Sequence, residues 1–109
     1  MSHYFPTPDE CGRHTIFGSV AIRTCAGEHV QLSLVDIPPH GVVEDHSHPN
    51  EQMGLVISGR LEFTIGGERK LLTAGDLFRI PGGVRHSVRA FDEPVRALDV
   101  FYPIRDEYR

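Results

Sequence analysis

A chain of 109 residues, 39% apolar and 24% charged, has room for one domain built around one core. Its formal charge of -4 and pI near 5.9 argue against a nucleic-acid partner, which calls for a basic face. No apolar stretch approaches the roughly 18 residues of a membrane-spanning helix, so no membrane partner is expected.

The segment Met1-Ser2-His3-Tyr4-Phe5-Pro6 lacks the charged and apolar regions of a signal peptide, so cytoplasmic residence is the expectation. Residues 1–12 read as an irregular arm able to dock on a second subunit. Gly12 precedes an apolar and β-branched run from Thr15 to Ile22. Ala26-Gly27-Glu28 then turns into Val30 to Ile37, an alternating strand with Val30, Leu32 and Leu34 on one face and Gln31, Ser33 and Val35 on the other. Pro38-Pro39-His40-Gly41 stops it. Val42 to His48 follows, then a break at Pro49-Asn50 and a run from Gln52 to Ile57. Ser58-Gly59-Arg60 turns into Leu61 to Ile65, and Gly66-Gly67 is a hairpin signal leading to Arg69 to Thr73. Ala74-Gly75-Asp76 and Pro81-Gly82-Gly83 bracket Leu77 to Ile80, and His86 to Phe91 and Val95 to Tyr102 close the series. Turn signals at this spacing predict about nine short strands and no helix. The expectation is an all-β single domain over residues 1–109, a small antiparallel barrel or jelly roll, because closure removes exposed edges. A β-domain this small gains burial by pairing, so a homodimer joined through an added strand is expected.

Cys11 and Cys25 are the only cysteines, and they read as two reduced thiols, one in a loop and one in a strand. The unusual residue is histidine, seven in all. His46 and His48 lie two apart on an extended segment, so both imidazoles leave the same face. Neutral imidazole nitrogens bind first-row divalent metals well. Beyond the Pro49-Asn50 break, Glu51 or Gln52 returns a side-chain oxygen, and His86 enters from a neighbouring strand. Three histidines and one oxygen make an open site for one divalent metal ion, with positions left for water or substrate. Affinity order favours nickel, copper or zinc and cellular supply favours iron or manganese, so the ion's identity stays open.

The segment from Gly41 through His46-Ser47-His48 and Gln52 to Gly59 resembles the first motif of the cupin superfamily. Gly75-Asp76-Leu77-Phe78-Arg79-Ile80-Pro81-Gly82-Gly83-Val84-Arg85-His86 resembles the second, Gly-x5-Pro-x-Gly-x2-His. The resemblance implies a cupin β-barrel, a double-stranded β-helix of jelly-roll type. Gly41 stands one residue nearer to His46 than in the family pattern, and Ala90 replaces the Asn that ends the second motif. Gln52 occupies the position of the family's carboxylate ligand, as the fixed step to Gly59 shows. Three imidazoles and a neutral amide leave a bound ion its full double positive charge, which favours a small anionic substrate such as a sugar acid.

Near the C-terminus, Asp99 shares a strand face with Ala97 and Phe101, and Arg105 follows the Pro103 break. A carboxylate on such a face is buried with a partner or sits at a pocket wall. His-Ser-His-Pro-x-Glu-Gln together with Asp-Val-Phe-x-Pro-x-Arg-x-x-Tyr looks like the pectin-degradation cupins of the KdgF type. That resemblance implies His46, His48, Gln52 and His86 as metal ligands, with Asp99, Phe101 and Arg105 around the reacting sugar. It also implies an isomerase-type reaction that opens the ring of 4,5-unsaturated uronates during carbohydrate degradation. Arg60, Arg79 and Arg85 are other cationic candidates. A metal-dependent dioxygenase and a non-catalytic binding module are the competing classes.

Overall fold

Alternating apolar residues bounded by Gly and Pro become strands throughout the computed structural model, which describes residues 4–109. Among the described residues there are ten: β1 (Gly12–Ile16), β2 (Val20–Ala26), β3 (Gln31–Ile37), β4 (Val42–His46), β5 (Glu51–Ser58), β6 (Arg60–Ile65), β7 (Glu68–Thr73), β8 (Leu77–Ile80), β9 (His86–Ala90) and β10 (Val95–Tyr102). Single 3-10 turns cover Pro8–Glu10 and Asp106–Tyr108. All pairings are antiparallel, in a six-stranded sheet ordered β1-β2-β3-β10-β5-β8 and a four-stranded sheet ordered β4-β9-β6-β7. The two sheets close face to face as a jelly-roll barrel. Between them lies a core that includes Val20, Ile22, Val35, Val56, Leu61, Phe63, Phe78, Ile80 and Val88.

Two expectations need correcting. The run from Thr15 to Ile22 is not one strand, because Phe17 and Gly18 both take positive φ and fold Ile16 back onto Val20. A bulky Phe in that conformation is a rare turn former, so composition hid the hairpin. Gly12, read as the end of the arm, is the first residue of β1 and pairs with Thr24; residues 1–3 lie outside the described residues.

On β3 the inward face is the one carrying Gln31, Ser33, Val35 and Ile37, while Val30 and Leu32 stand exposed. The outer surface of the six-stranded sheet is correspondingly apolar. Cross-strand register aligns Leu34, Leu98, Leu55 and Leu77 in one row, and Leu32, Val100 and Met53 in the next.

Gly54, at the centre of β5, lies between Phe78 and Asp99 in register. A Cβ there would run into the Phe78 ring and come within 2.8 Å of an Asp99 carboxylate oxygen. Gly54→Ala should therefore lower stability by about 1–3 kcal/mol, the usual result of overpacking. An unchanged midpoint in chemical denaturation would show that the ring and the carboxylate have room to give.

Candidate metal centre and its cavity

His46 ends β4, His48 follows it in the loop, and His86 opens β9 directly opposite His46 in register. Their ligating nitrogens all lie within 4.8 Å of one another. Each Nδ1 faces a backbone carbonyl two residues away: His46 that of Glu44 at 2.8 Å, His48 that of Asn50 at 3.1 Å, and His86 that of Val84 at 2.9 Å. A carbonyl only accepts, so these partners assign the hydrogen to Nδ1 and leave each Nε2 with a lone pair. Orienting contacts of this kind hold histidine ligands in place around an ion. Burial also keeps His48 and His86 neutral. It pushes His86 down to about 4, helped by the charges of His46, His48 and Arg105 and opposed by the Val84 hydrogen bond. Burial, then the Arg105 charge, lowers His48 in the same direction.

Gln52 projects inward from β5 and is buried, with its Oε1 3.0 Å from His48 Nε2. The side chain of Gln52 also hydrogen-bonds to the Asp99 carboxylate. The amide oxygen is the end that faces His48, which leaves the amide nitrogen for Asp99. Two lone pairs then face each other at 3.0 Å with no hydrogen between them. A divalent cation removes that conflict, and three imidazoles plus one amide oxygen suit such an ion. The residues therefore fit the metal. Glu51, the other oxygen considered from sequence, is exposed on the opposite face of β5.

Asp99 and Phe101 come from β10, the neighbour of β5. Asp99 lines the cavity, and burial pushes its carboxyl up to about 7, against the Gln52 hydrogen bond and the Arg105 charge. The Phe101 ring stands edge-on to His48 at 5.6 Å. Arg105 lies over the rings of Phe101 and Tyr108, at 5.2 and 4.5 Å, with its Nε 3.3 Å from Glu107. Asp99 is thus both buried and at the cavity wall, beside the Gln52 amide and under the influence of the Arg105 charge. Arg60, Arg79 and Arg85 do not line the cavity; Arg85 pairs with Asp45 and Arg60 covers Phe91.

The cavity measures about 90 Å³, and its polar lining comprises His46, His86, Gln52, Asp99, Ser33, Arg105 and Tyr108. The rest of its wall is apolar, with Phe17, Leu61, Phe63 and Phe78 among the larger side chains. Sequence reading missed the residues that hold Arg105 there. The Gln31 amide accepts from the Arg105 N–H at 2.9 Å and donates to its carbonyl at 3.3 Å. Asn50 donates to the Pro103 carbonyl at 2.7 Å, and the Thr24 hydroxyl donates to that of Tyr108. The available signal was Gln31 and Ser33 on one face of an alternating strand, which marks a polar patch if that face is inside.

The model of the cupin domain family matches residues 33–101. The chain is 34% identical over 99 residues to a Bacillus subtilis protein named H2HPP isomerase, covering 89% of this chain and 41% of that one. It is 49% identical over 45 residues to the quercetin 2,3-dioxygenase of Bacillus subtilis strain 168, covering 40% of this chain and 13% of that one. The chain thus spans less than half the length of either. The structure titled KdgF from Halomonas sp. superposes with a TM-score of 0.83 at 25% identity, over 94% of this chain and 96% of that one.

The opposed shifts of His86 and Asp99 give a measurable pH signature. Between about 4 and 6.5 the unfolded chain binds a proton at His86 that the folded chain does not, so this group costs stability as pH falls. Asp99 binds its proton more readily when folded, so between 3.8 and about 7 it adds stability as pH falls. In chelator-treated protein, Asp99→Asn should expose a loss of thermal stability on acidification across that window, and His86→Asn a gain. Zinc added at neutral pH should raise the wild-type midpoint and leave that of His86→Asn unmoved. Parallel pH profiles, or an equal response to zinc, would count against this electrostatic picture.

Proposed function

The chain belongs to the cupin domain family, and from that premise we propose that it is a metal-dependent enzyme that opens the ring of 4,5-unsaturated uronates to linear keto acids. One observation carries the reading: a buried carboxyl, imidazoles and an amide suited to a metal ion, and a cation line a single cavity through Asp99, His46, His86, Gln52 and Arg105. The KdgF likeness and the kinship with a protein named an isomerase support it.

The reaction is an isomerisation and needs no oxidant or reductant. The anomeric hydroxyl loses its proton, C1 becomes a carbonyl, and the bond from C1 to the ring oxygen breaks. The electron pair left on that oxygen forms the enolate of an α-keto acid, which takes a proton at C4. Asp99, a carboxyl at the wall with a pKa near neutrality, is the group that accepts the first proton and returns the second. Arg105 pairs with the uronate carboxylate. Phe101 packs against the sugar face. His46, His48, His86 and Gln52 would hold a divalent ion, which would supply a positive centre for anionic oxygens.

Dioxygenase chemistry is the second reading, favoured by the 49% identical segment shared with quercetin 2,3-dioxygenase. It lacks a carboxylate ligand here, with Glu51 turned outward, and it requires consumption of dioxygen by the iron-loaded protein with an oxidisable substrate.

The conjugated double bond of the unsaturated uronate absorbs in the ultraviolet, and ring opening removes that band. Metal-loaded wild type should speed its loss over an enzyme-free control. Asp99→Asn should lower kcat by about 10²–10⁴, and Arg105→Ala should act mainly through KM. If neither galacturonate-derived nor alginate-derived substrates respond, the ring-opening reading is wrong, and a dioxygenase or a binding module takes its place.

A second copy of the chain is the partner proposed for the apolar outer rows, in a homodimer that meets face to face rather than through an added strand. The rows form an unbroken apolar centre, and charges of both signs stand at its rim, Arg23 and Arg79 with Glu51, as a face that meets its own copy requires. Sedimentation should give twice the chain mass for wild type and the single mass for Leu98→Glu; a monomeric wild type would reject it.

A further inference from the structure

Phe17 occupies the tip of the hairpin between β1 and β2 with a φ of +50°, in the left-handed region. For a residue with a bulky side chain that backbone is strained, and Asn or Gly would occupy it more readily. The ring is 38% exposed, so hydrophobic burial only partly offsets that strain. What the conformation achieves is placement. The ring lines the cavity and stands 5.2 Å from the ring of His46, tilted by 49°. Strain at a bulky residue beside a binding centre is a feature that needs a functional account.

The neighbouring wall says what the ring would meet. A second aromatic, Phe101, stands against His48, and the charged group Arg105, stacked on Phe101, lines the same cavity. A ligand anchored by a carboxylate at this end would find flat aromatic surface and few hydrogen-bonding partners along its body. We propose that Phe17 is a specificity-determining residue, an aromatic lip that favours planar, conjugated carboxylates over saturated ones of the same size. The proposal deepens the ring-opening reading, whose substrate is flat and conjugated at the carboxylate end, and it rests on that reading only for the identity of the natural ligand.

The test uses two probes, benzoate and cyclohexanecarboxylate, which share a carbon count and a single negative charge and differ in flatness. Binding to the zinc-loaded full chain is measured by calorimetry. Wild type should prefer benzoate by roughly 2–10-fold, the worth of an aromatic pair beyond its area. Phe17→Leu should bring the ratio close to one while keeping its affinity for cyclohexanecarboxylate. Phe17→Asn should do the same and leave the thermal midpoint of the free protein unchanged or higher, because Asn suits the backbone. A ratio preserved in Phe17→Leu, a lower midpoint in Phe17→Asn, or no binding of either probe to wild type overturns the proposal. The uronate assay is read separately: a benzoate preference without uronate turnover sinks the reaction and leaves Phe17 in its role.

Discussion

The side-chain amide of Gln52 has one donor end and one acceptor end, and Asp99 takes the donor. That single choice organises the site. It aims the amide oxygen at His48, whose own acceptor nitrogen is already committed toward it by the bond from Nδ1 to the Asn50 carbonyl. It also ties the Asp99 carboxyl to the amide beside the histidine cluster through one hydrogen bond. A Glu at this position would put two carboxylates side by side in a buried space, where like charges cannot both stay ionised cheaply. A neutral residue at position 52 and an acid at position 99 therefore belong together.

Arg105 depends on a second constraint of the same kind. Its backbone is clasped through both of its polar atoms by the buried Gln31, and the flanking residues are fixed by Asn50 and Thr24. Gly12 adds room, since a Cβ there would meet the Thr24 hydroxyl and lie 2.7 Å from the Arg109 carbonyl. The tail lies on the barrel without joining either sheet, so these side-chain bonds replace the ladder that a strand would supply.

Much of this was legible in the sequence. The strand boundaries followed from alternation and from Gly and Pro positions, and the His46, His48 and His86 cluster followed from two spaced motifs. The Thr15 to Ile22 run was misread because a strained Phe-Gly turn has the composition of a strand. The face of β3 that turns inward was not legible either. Leu32 and Leu34 are the more apolar choice, yet Gln31 and Ser33 are inside, where Gln31 clasps the tail and Ser33 lines the cavity. Alternation gives two faces and does not say which is the core when a polar site lies within it. Gln31 is silent in sequence for a further reason: its partner is a backbone 74 residues away.

The strand order has a consequence for how the barrel assembles. β10 follows every other strand along the chain, yet it lies at the middle of the larger sheet between β3 and β5. Until it arrives, β3 and β5 each present an open edge, and the sheet exists as two separate pieces. Its pairing with β3 runs from Val95 against Ile37 to Phe101 against Gln31, so closure waits on contacts far apart in sequence. Folds dominated by such contacts form on the slow scale of milliseconds to seconds. Before β10 pairs, neither Asp99 nor the clasp on Arg105 is in place. Open edges of that kind are where one chain pairs wrongly with another. The strand that delivers Asp99 is therefore also the one that seals the fold against misassembly.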